Sequence, residues 1–561
     1  MLHLCKAFIR AVVYSKPETE KEEQNGLVLF FFFGGEAALR VKNITYLAMF
    51  GKVGYYYIIQ FIQTFVLKYT GRVETVCSKI GRIYSMEEKR GQWGSNFGFL
   101  MAAIGSAVGL GNIWGFPYKM GMSGGFAFLA VYLLLVVTVG VVVMLGELTL
   151  GRKTGKGTMG AYLAFSKKYA WVGFMGVFSG FLILSFYSVL GGMVMRYMVG
   201  FLLQLLGLDG FGGQGTGFFG FLLYDYGGIL FFYALFMVVT VWIVMDGIEG
   251  GIERFSAVAM PALFFIMLFV IIYVAVQPGA GAGYAFMFKP DFSVFSEIGF
   301  FGVLKTAAGQ MFFSLSLGMG CMITYGSYLS KSENMQKNAL IIPFADTLIA
   351  LMAGMAVMPA CAAFGVDYGR GPGLLFVSMQ TVFENMGSFG NFVGFMFYFL
   401  VFIAAITSSI SLLEVCTTFQ IDSNIAKGKA PSRKKVTCTY AIIIFIIGLP
   451  VALDALGSGG AAIKAPFELL GITAGGAGYA MWNDCWLDFY DMISEGVLMP
   501  LGALVMSVLI GWVWKLKVIQ EECELNGHKF RAAGYINFCF KFVVPVIMLV
   551  VLVAQLRDFF G

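Results

Sequence analysis

The chain has 561 residues, 59% of them hydrophobic and only 12% charged, with a net charge of +6 and a mean hydropathy of +0.81. That balance excludes a soluble globular domain. Many apolar runs exceed the roughly 20 residues that cross a bilayer, so the composition predicts a polytopic helical membrane protein embedded in lipid. The positive charge reads as basic loops rather than a nucleic-acid surface.

In chain order, residues 1–85 stand apart. Leu27–Phe33 and Tyr46–Leu67 are hydrophobic, but the stretch lacks a signal peptide with a small-residue cleavage site, and Met86 opens MEEKRGQW in the manner of a natural start. Residues 1–85 are therefore expected to be an extension from a start codon set too early, with a genuine extra span as the alternative, and residues 86–561 to form the membrane domain. Eleven spans are predicted there, near 95–115, 124–150, 170–205, 228–246, 255–277, 300–328, 338–363, 391–421, 435–453, 490–515 and 532–556.

Two of these spans are interrupted. Gly105 to Pro117 reads GSAVGLGNIWGFP, and Ser314 to Cys321 reads SLSLGMGC. An apolar helix tolerates such a break only where the freed backbone groups find partners inside the protein. Two breaks in corresponding positions point to a transporter with its substrate site between half-helices near mid-membrane. Basic residues set the orientation. They cluster at Arg152, Lys153, Lys156, Lys167 and Lys168, at Lys331 and Lys337, at Lys427 to Lys435, and at Lys515, Lys517, Lys529 and Arg531. All fall on one side if the segment before Trp93 is cytoplasmic. Ten spans then form a five-plus-five inverted repeat, about 90–277 and 300–515, with unwound first and sixth helices and an extra helix at about 532–556. The predicted fold is thus an all-α integral membrane protein of eleven transmembrane helices, in the cell (plasma) membrane, with a cytoplasmic N-terminus.

Asp346 sits within the apolar run IIPFADTLIALMAGMAV. An intramembrane carboxylate costs roughly 2.5–3.5 kcal/mol on insertion scales, so it is read as functional. The nine scattered cysteines lack paired spacing and read as small core residues. With only His3 and His528, a zinc site or a histidine triad has little support, and no nucleophile–base pair or phosphate loop stands out, which argues against an enzyme.

Trp93, the run GSAVGLGN followed by FP, GQMFFSLSLGMG at Gly309–Gly320 and AAITSSISLLE at Ala404–Glu414 together resemble the neurotransmitter:sodium symporter family, in its bacterial amino-acid-transporting branch. The resemblance runs from about Met86 to Leu556, and it makes residues 86–561 a transporter domain. It implies sodium-coupled symport of an amino acid by alternating access. The implied first sodium site uses the Ala107 carbonyl, Asn112, Ser314, Asp346 and the substrate carboxylate. The second uses carbonyls of Gly105, Val108 and Ala404 with the hydroxyls of Thr407 and Ser408. Taken singly, Gly105 and Gly109 also make a helix-packing face, and membrane Ser and Thr commonly bond their own preceding turn. Three motifs in the family's order favour the ligand reading.

The resemblance also implies the substrate contacts. Amine transporters of the family carry an aspartate where this chain has Gly109, which leaves room for the substrate's own carboxylate beside Ala107, Gly109 and Gly111. Tyr187 would bond that carboxylate and close over it with Phe313. The amino group would meet carbonyls near Phe313 and Ser316, and the side-chain pocket would include Ile183, Met319, Ser409 and Leu412. This apolar lining implies a neutral hydrophobic or aromatic L-amino acid. In animal members the Asp346 position resembles an asparagine, and a serine one turn on helps hold chloride; here that residue is Ala350, so chloride-independent transport is expected. The implied cytoplasmic gate is Arg90 with Asp422, plus Trp93 and Tyr328. Outside, Asp491 matches the gating acid, but Gly115 stands where its arginine is expected, and Lys119 is a candidate replacement. The runner-up is an amino-acid-binding membrane sensor on the same fold. The oligomeric state is not legible.

Overall fold

The computed structural model describes residues 91–208, 217–366, 374–457, 461–469 and 484–560. All of them lie in one compact unit, Arg90–Gly561. The expected extension, 1–85, and the gate residue Arg90 lie outside the described residues.

Among the described residues, nine helices are long and apolar enough to cross a membrane: Phe126–Thr154, Lys167–Leu205, Tyr226–Met245, Ile248–Ala275, Met335–Ala363, Gly390–Ala426, Arg433–Gly457, Trp486–Val513 and Ala533–Arg557. The pair Asn96–Ala107 and Gly111–Met122, bent by 50°, makes the first span. Gly299–Ser314 and Cys321–Gly326, separated by an irregular hexapeptide, make the sixth. The eleven predicted spans are thus accounted for, with breaks in the first and the sixth.

The boundaries differ where local chemistry restarts a helix. The first span was expected to end near 115. Instead it runs on to Met122, because the wide helical turn Gly111–Gly115 passes directly into the helix Phe116–Met122, with Pro117 in the first turn of the latter. The fifth span begins at Ile248 rather than near 255, because a wide helical turn, Ile248–Glu253, precedes it. Other ends are capped by side chains. Ser95 accepts from Gly98 N at 2.9 Å and Asn334 from Lys337 N at 2.9 Å.

The third and eighth spans, 39 and 37 residues long, would measure about 55 Å at 1.5 Å per residue, well beyond a roughly 30 Å hydrocarbon core. They form the centre of the molecule and stack Tyr197 on Tyr398, with ring centroids 4.9 Å apart. The fifth, ninth and eleventh spans are peripheral; Val258, Phe265, Ile442 and Val546 are among their exposed side chains. Such apolar exposure suits a lipid-facing surface, because in hydrocarbon only the backbone demands internal partners.

At both breaks several of the freed backbone groups find partners. Val108 takes an extended conformation (φ −74, ψ 105) that ends the first half-helix. Gly109 N then donates to Asn112 Oδ1 at 3.1 Å, Leu110 N to Tyr187 Oη at 3.1 Å, and Gln310 Nε2 to the Gly111 carbonyl at 2.7 Å. In the sixth span Ser316, Gly318 and Gly320 all have positive φ. Gly318 N donates to the buried Glu147 Oε1 at 2.7 Å, and a Cβ on Gly318 would meet the Met499 carbonyl at 2.7 Å. Glycine is required there by both backbone angle and space.

Candidate functional site

The two breaks face one another. Ser316 Oγ donates to the Ser106 carbonyl at 2.7 Å, tying the sixth span to the first. Between them lies a small cavity of about 20 Å³, lined by Ser106, Ala107, Gly109, Gly111, Ile183, Tyr187, Phe313, Ser316, Met319, Ser408 and Leu412. That volume is about the room for one water, so a larger occupant requires the lining to move apart. Nine of the ten residues expected to contact substrate are brought together here. The tenth, Ser409, is not. Its hydroxyl lies 2.8 Å from Thr240 Oγ1 and donates to the Ile406 carbonyl at 2.9 Å. Ser408 and Leu412, four residues apart, share the face toward the cavity, and one step of about 100° turns Ser409 away from it.

Packing fixes the small residues. A Cβ on Gly109 would lie 2.5 Å from Ser408 Oγ and 2.8 Å from Tyr187 Oη, and one on Gly111 would lie 2.5 Å from the Phe313 ring. Any side chain at Gly109 would have to push aside the Ser408 hydroxyl and the end of the Tyr187 side chain.

Beside the cavity, Asp346 is fully buried. Asn112 Nδ2 donates to its Oδ1 at 2.7 Å and Ser314 Oγ to its Oδ2 at 2.8 Å. The carboxylate, amide and hydroxyl thus converge from the seventh, first and sixth spans, and Ala107 lies on the turn before Asn112. These are hard oxygen donors of the kind a sodium ion takes. On the other side, Ser408 Oγ bonds the Val108 and Ser106 carbonyls, each at 3.3 Å, and Thr407 Oγ1 bonds the Ala404 carbonyl at 3.0 Å. A Cβ on Gly105 would touch Thr407 Cβ at 3.1 Å, so the first and eighth spans meet closely there. Donors expected for both ion sites are therefore clustered, and their chemistry fits a small monovalent cation.

Tyr187 and Phe313 also form the floor of a second, larger cavity of about 340 Å³, bounded by Gly115, Lys119, Lys305, Asp491, Glu495 and Gln555 among others. Lys119 is placed here as expected, but its ion pair, at 3.5 Å, is with Glu495, one helical turn beyond Asp491. The first and tenth spans are thus bridged at this level by Glu495, a residue the sequence reading passed over, because charge spacing within a helix does not reveal partners on another. Where Gly115 lacks a side chain, Gln310 Oε1 is buried with no hydrogen-bond partner among the described residues.

The opposite end is sealed. Trp93 Nε1 donates to the Tyr325 carbonyl at 3.0 Å, and its ring meets those of Tyr325 and Tyr328 edge-on at 5.2 and 6.5 Å. Tyr328 Oη donates to Glu414 Oε1 at 2.7 Å. Glu414, fully buried, is also held by Thr418 and forms an ion pair with Arg433, whose Nε donates to the Val244 carbonyl at 2.9 Å. Asp422 accepts from Gly157 N at 2.7 Å. The buried ion pair of Glu414 and Arg433 was missed. The available signal was the carboxylate of Glu414 inside an apolar span, which is presumed functional on the same grounds as Asp346. Glu147 was missed in the same way.

Comparison with known proteins agrees with this geometry. The model of the Sodium:neurotransmitter symporter family matches residues 90–208 and 222–468. The uncharacterized sodium-dependent transporter YhdH of Bacillus subtilis is 35% identical over 475 residues, 83% of this chain and 97% of its own. An uncharacterized sodium-dependent transporter of Haemophilus influenzae is 32% identical over 491 residues, 84% of this chain and 99% of its own. Among solved structures, MhsT in complex with L-phenylalanine superposes with a TM-score of 0.72 at 36% identity, over 83% of this chain and 100% of that one. The broken spans, the oxygen donors gathered around them and these matches lead to one conclusion: the chain belongs to the sodium:neurotransmitter symporter family, a membrane transporter and not an enzyme.

Proposed function

We propose that the chain uses a sodium gradient to accumulate a neutral hydrophobic or aromatic L-amino acid by alternating access, without need of chloride. The observation that carries this reading is the convergence of Asn112, Ser314 and Asp346 beside the cavity floored by Tyr187 and Phe313. One sodium ion would sit among Ala107, Asn112, Ser314 and Asp346 and share the substrate carboxylate. A second would sit among Gly105, Val108, Ala404, Thr407 and Ser408. Half-helix N-terminal dipoles and the first ion both favour an anionic group at Gly109 and Gly111. Tyr187 would donate to that carboxylate, and Ile183, Phe313, Met319 and Leu412 would enclose an apolar side chain.

With sodium bound, Asp346 would supply the fixed negative charge that chloride provides elsewhere, and Ala350 offers no hydroxyl to hold chloride, which supports chloride independence. MhsT, 36% identical, is described with L-phenylalanine, in keeping with an aromatic substrate here. Alternation requires the two ends of the site to open in turn: Lys119 and Glu495 with Asp491 on one side, Trp93, Tyr328, Glu414, Arg433 and Asp422 on the other. Basic-residue distribution favours a cell-membrane orientation in which the Trp93 end faces the cytoplasm.

Uptake of labelled L-phenylalanine and L-leucine into proteoliposomes, in sodium chloride and in sodium gluconate, tests this reading. Equal sodium-driven accumulation in both salts supports it, and strict chloride dependence overturns the role given to Asp346. A sensor on the same fold would bind the amino acid in sodium and accumulate none.

A further inference from the structure

Outside the transport pathway, the ends of the tenth and eleventh spans enclose a groove of about 570 Å³ whose lining includes Trp512, Lys515, Lys517, Gly534, Asn537 and Lys541. Three lysines and no acid line it among the described residues. Glu521 is 3.8 Å from Lys517 Nζ but is bound more closely by Lys153, at 2.7 Å. Lys541 lies eight residues inside the span that begins at Ala533, about 12 Å along the helix at 1.5 Å per residue. A cation at that depth is costly unless its head group reaches the interface or meets an anion. Its Nζ lies 5.5 Å from the centroid of the Trp512 ring, and Trp512 Nε1 donates to its carbonyl at 3.3 Å, so the side chain is held in the groove.

The wall opposite is open. A Cβ added to Gly534 meets no atom within 4 Å. Exposed Trp512 and Tyr535 sit at the rim, as aromatic residues do at a membrane–water interface. From the rim, exposed Phe538 and Phe542 continue down the lipid-facing side of the eleventh span.

We propose that this groove is a binding site for the headgroup of an anionic phospholipid. The phosphate is held by Lys515, Lys517 and Lys541, the Asn537 amide supplies a further donor, and the acyl chains run over Phe538 and Phe542. The apolar surface leading away from the lysines favours a lipid over free phosphate, and basic pockets between transmembrane helices are known to take such headgroups.

Native mass spectrometry of the full chain in detergent, with phosphatidylglycerol, phosphatidylcholine of the same acyl chains, or inorganic phosphate added back, tests the proposal. Phosphatidylglycerol is expected to be retained about fivefold or more over phosphatidylcholine. Lys515→Gln, on an exposed turn, and Lys541→Gln should each lower its retention about fivefold, as expected for roughly 1 kcal/mol per lysine near a surface. Gly534→Leu, which fills the groove without touching a charge, should do the same and leave phosphatidylcholine unchanged. Equal retention of the two lipids, or unchanged phosphatidylglycerol binding in all three variants, would overturn the proposal. So would displacement of the lipid by millimolar inorganic phosphate, which would make this a free-phosphate site.

Discussion

Ser408 and Ser409, neighbours in the eighth span, serve different helices: Ser408 Oγ lies 3.3 Å from the Val108 carbonyl of the first span, whereas Ser409 Oγ lies 2.8 Å from Thr240 Oγ1 of the fourth. On the proposed reading only the first belongs to an ion site. Ser408→Ala should raise the sodium concentration for half-maximal uptake three- to tenfold, about what one lost hydroxyl contact of 0.5–1.5 kcal/mol implies. Ser409→Ala should change it less than twofold. Sodium titrations of uptake by the two variants, side by side, check this, and equal effects would remove the assignment.

Asp346 gives a sharper case. Replacing it with Asn keeps the shape and the Ser314 contact but removes the charge. Asp346→Asn is expected to weaken sodium activation at least about tenfold, or roughly 1.4 kcal/mol. With Ala350→Ser added, external chloride should begin to stimulate uptake. Rates that ignore chloride in the double variant would contradict the charge-replacement argument.

At the sealed end, Tyr328→Phe deletes the hydroxyl that bonds Glu414 at 2.7 Å and Thr418 at 2.6 Å. Hydrogen bonds to charged groups are worth about 1.5–3 kcal/mol. The variant should therefore shift the conformational balance about tenfold or more toward opening at Trp93. Spin-label distances between the ends of the first and eighth spans would report a longer population; an unchanged distribution would show that Tyr328 does not hold this end closed.

The break in the sixth span depends on an acceptor rather than on a charge. Glu147 Oε1 receives the Gly318 N–H at 2.7 Å. Glu147→Gln retains a carbonyl acceptor at that place and should keep most uptake, while Glu147→Ala leaves the buried N–H unpaired and should cost tenfold or more. The comparison is read as uptake per folded transporter, and parity between the two variants would argue against the contact.

Gly115 and Gln310 frame a prediction of gain. An added Cβ at Gly115 would meet only the end of the flexible Gln310 side chain, at 3.0 Å. Gly115→Arg would place donors beside the orphaned Gln310 Oε1 and near Asp491. The variant should melt higher than the parent, whereas Gly115→Ala should not. A lower midpoint for the arginine variant would mean that the space is not shaped to receive it.

Hydropathy alone made the spans legible, because each must bury its backbone within itself, and the two breaks were legible because Gly105–Pro117 and Ser314–Cys321 cannot continue a helix. Local motifs pointed to Asn112 and Thr407, and a lone carboxylate in an apolar run pointed to Asp346; the structure puts Asn112 and Asp346 in contact. Pairings between distant spans were not legible. Glu147 meets Gly318 across 171 residues, and nothing in either segment names the other. Ser409 was misplaced because a motif gives residues in order but not the 100° that separates adjacent positions on a helix. Lys119 was read against Asp491 rather than Glu495 because both acids lie on one face, one turn apart, and only tertiary packing chooses between them.

The most direct test of sodium-coupled amino-acid transport is accumulation of a mixture of labelled neutral L-amino acids in proteoliposomes, with an inward sodium gradient and with potassium in its place. The account predicts uptake of a hydrophobic or aromatic member above its equilibrium level in sodium, none in potassium, and loss of that uptake in Asp346→Ala. Uptake that proceeds equally in potassium, or that survives removal of Asp346, would contradict it.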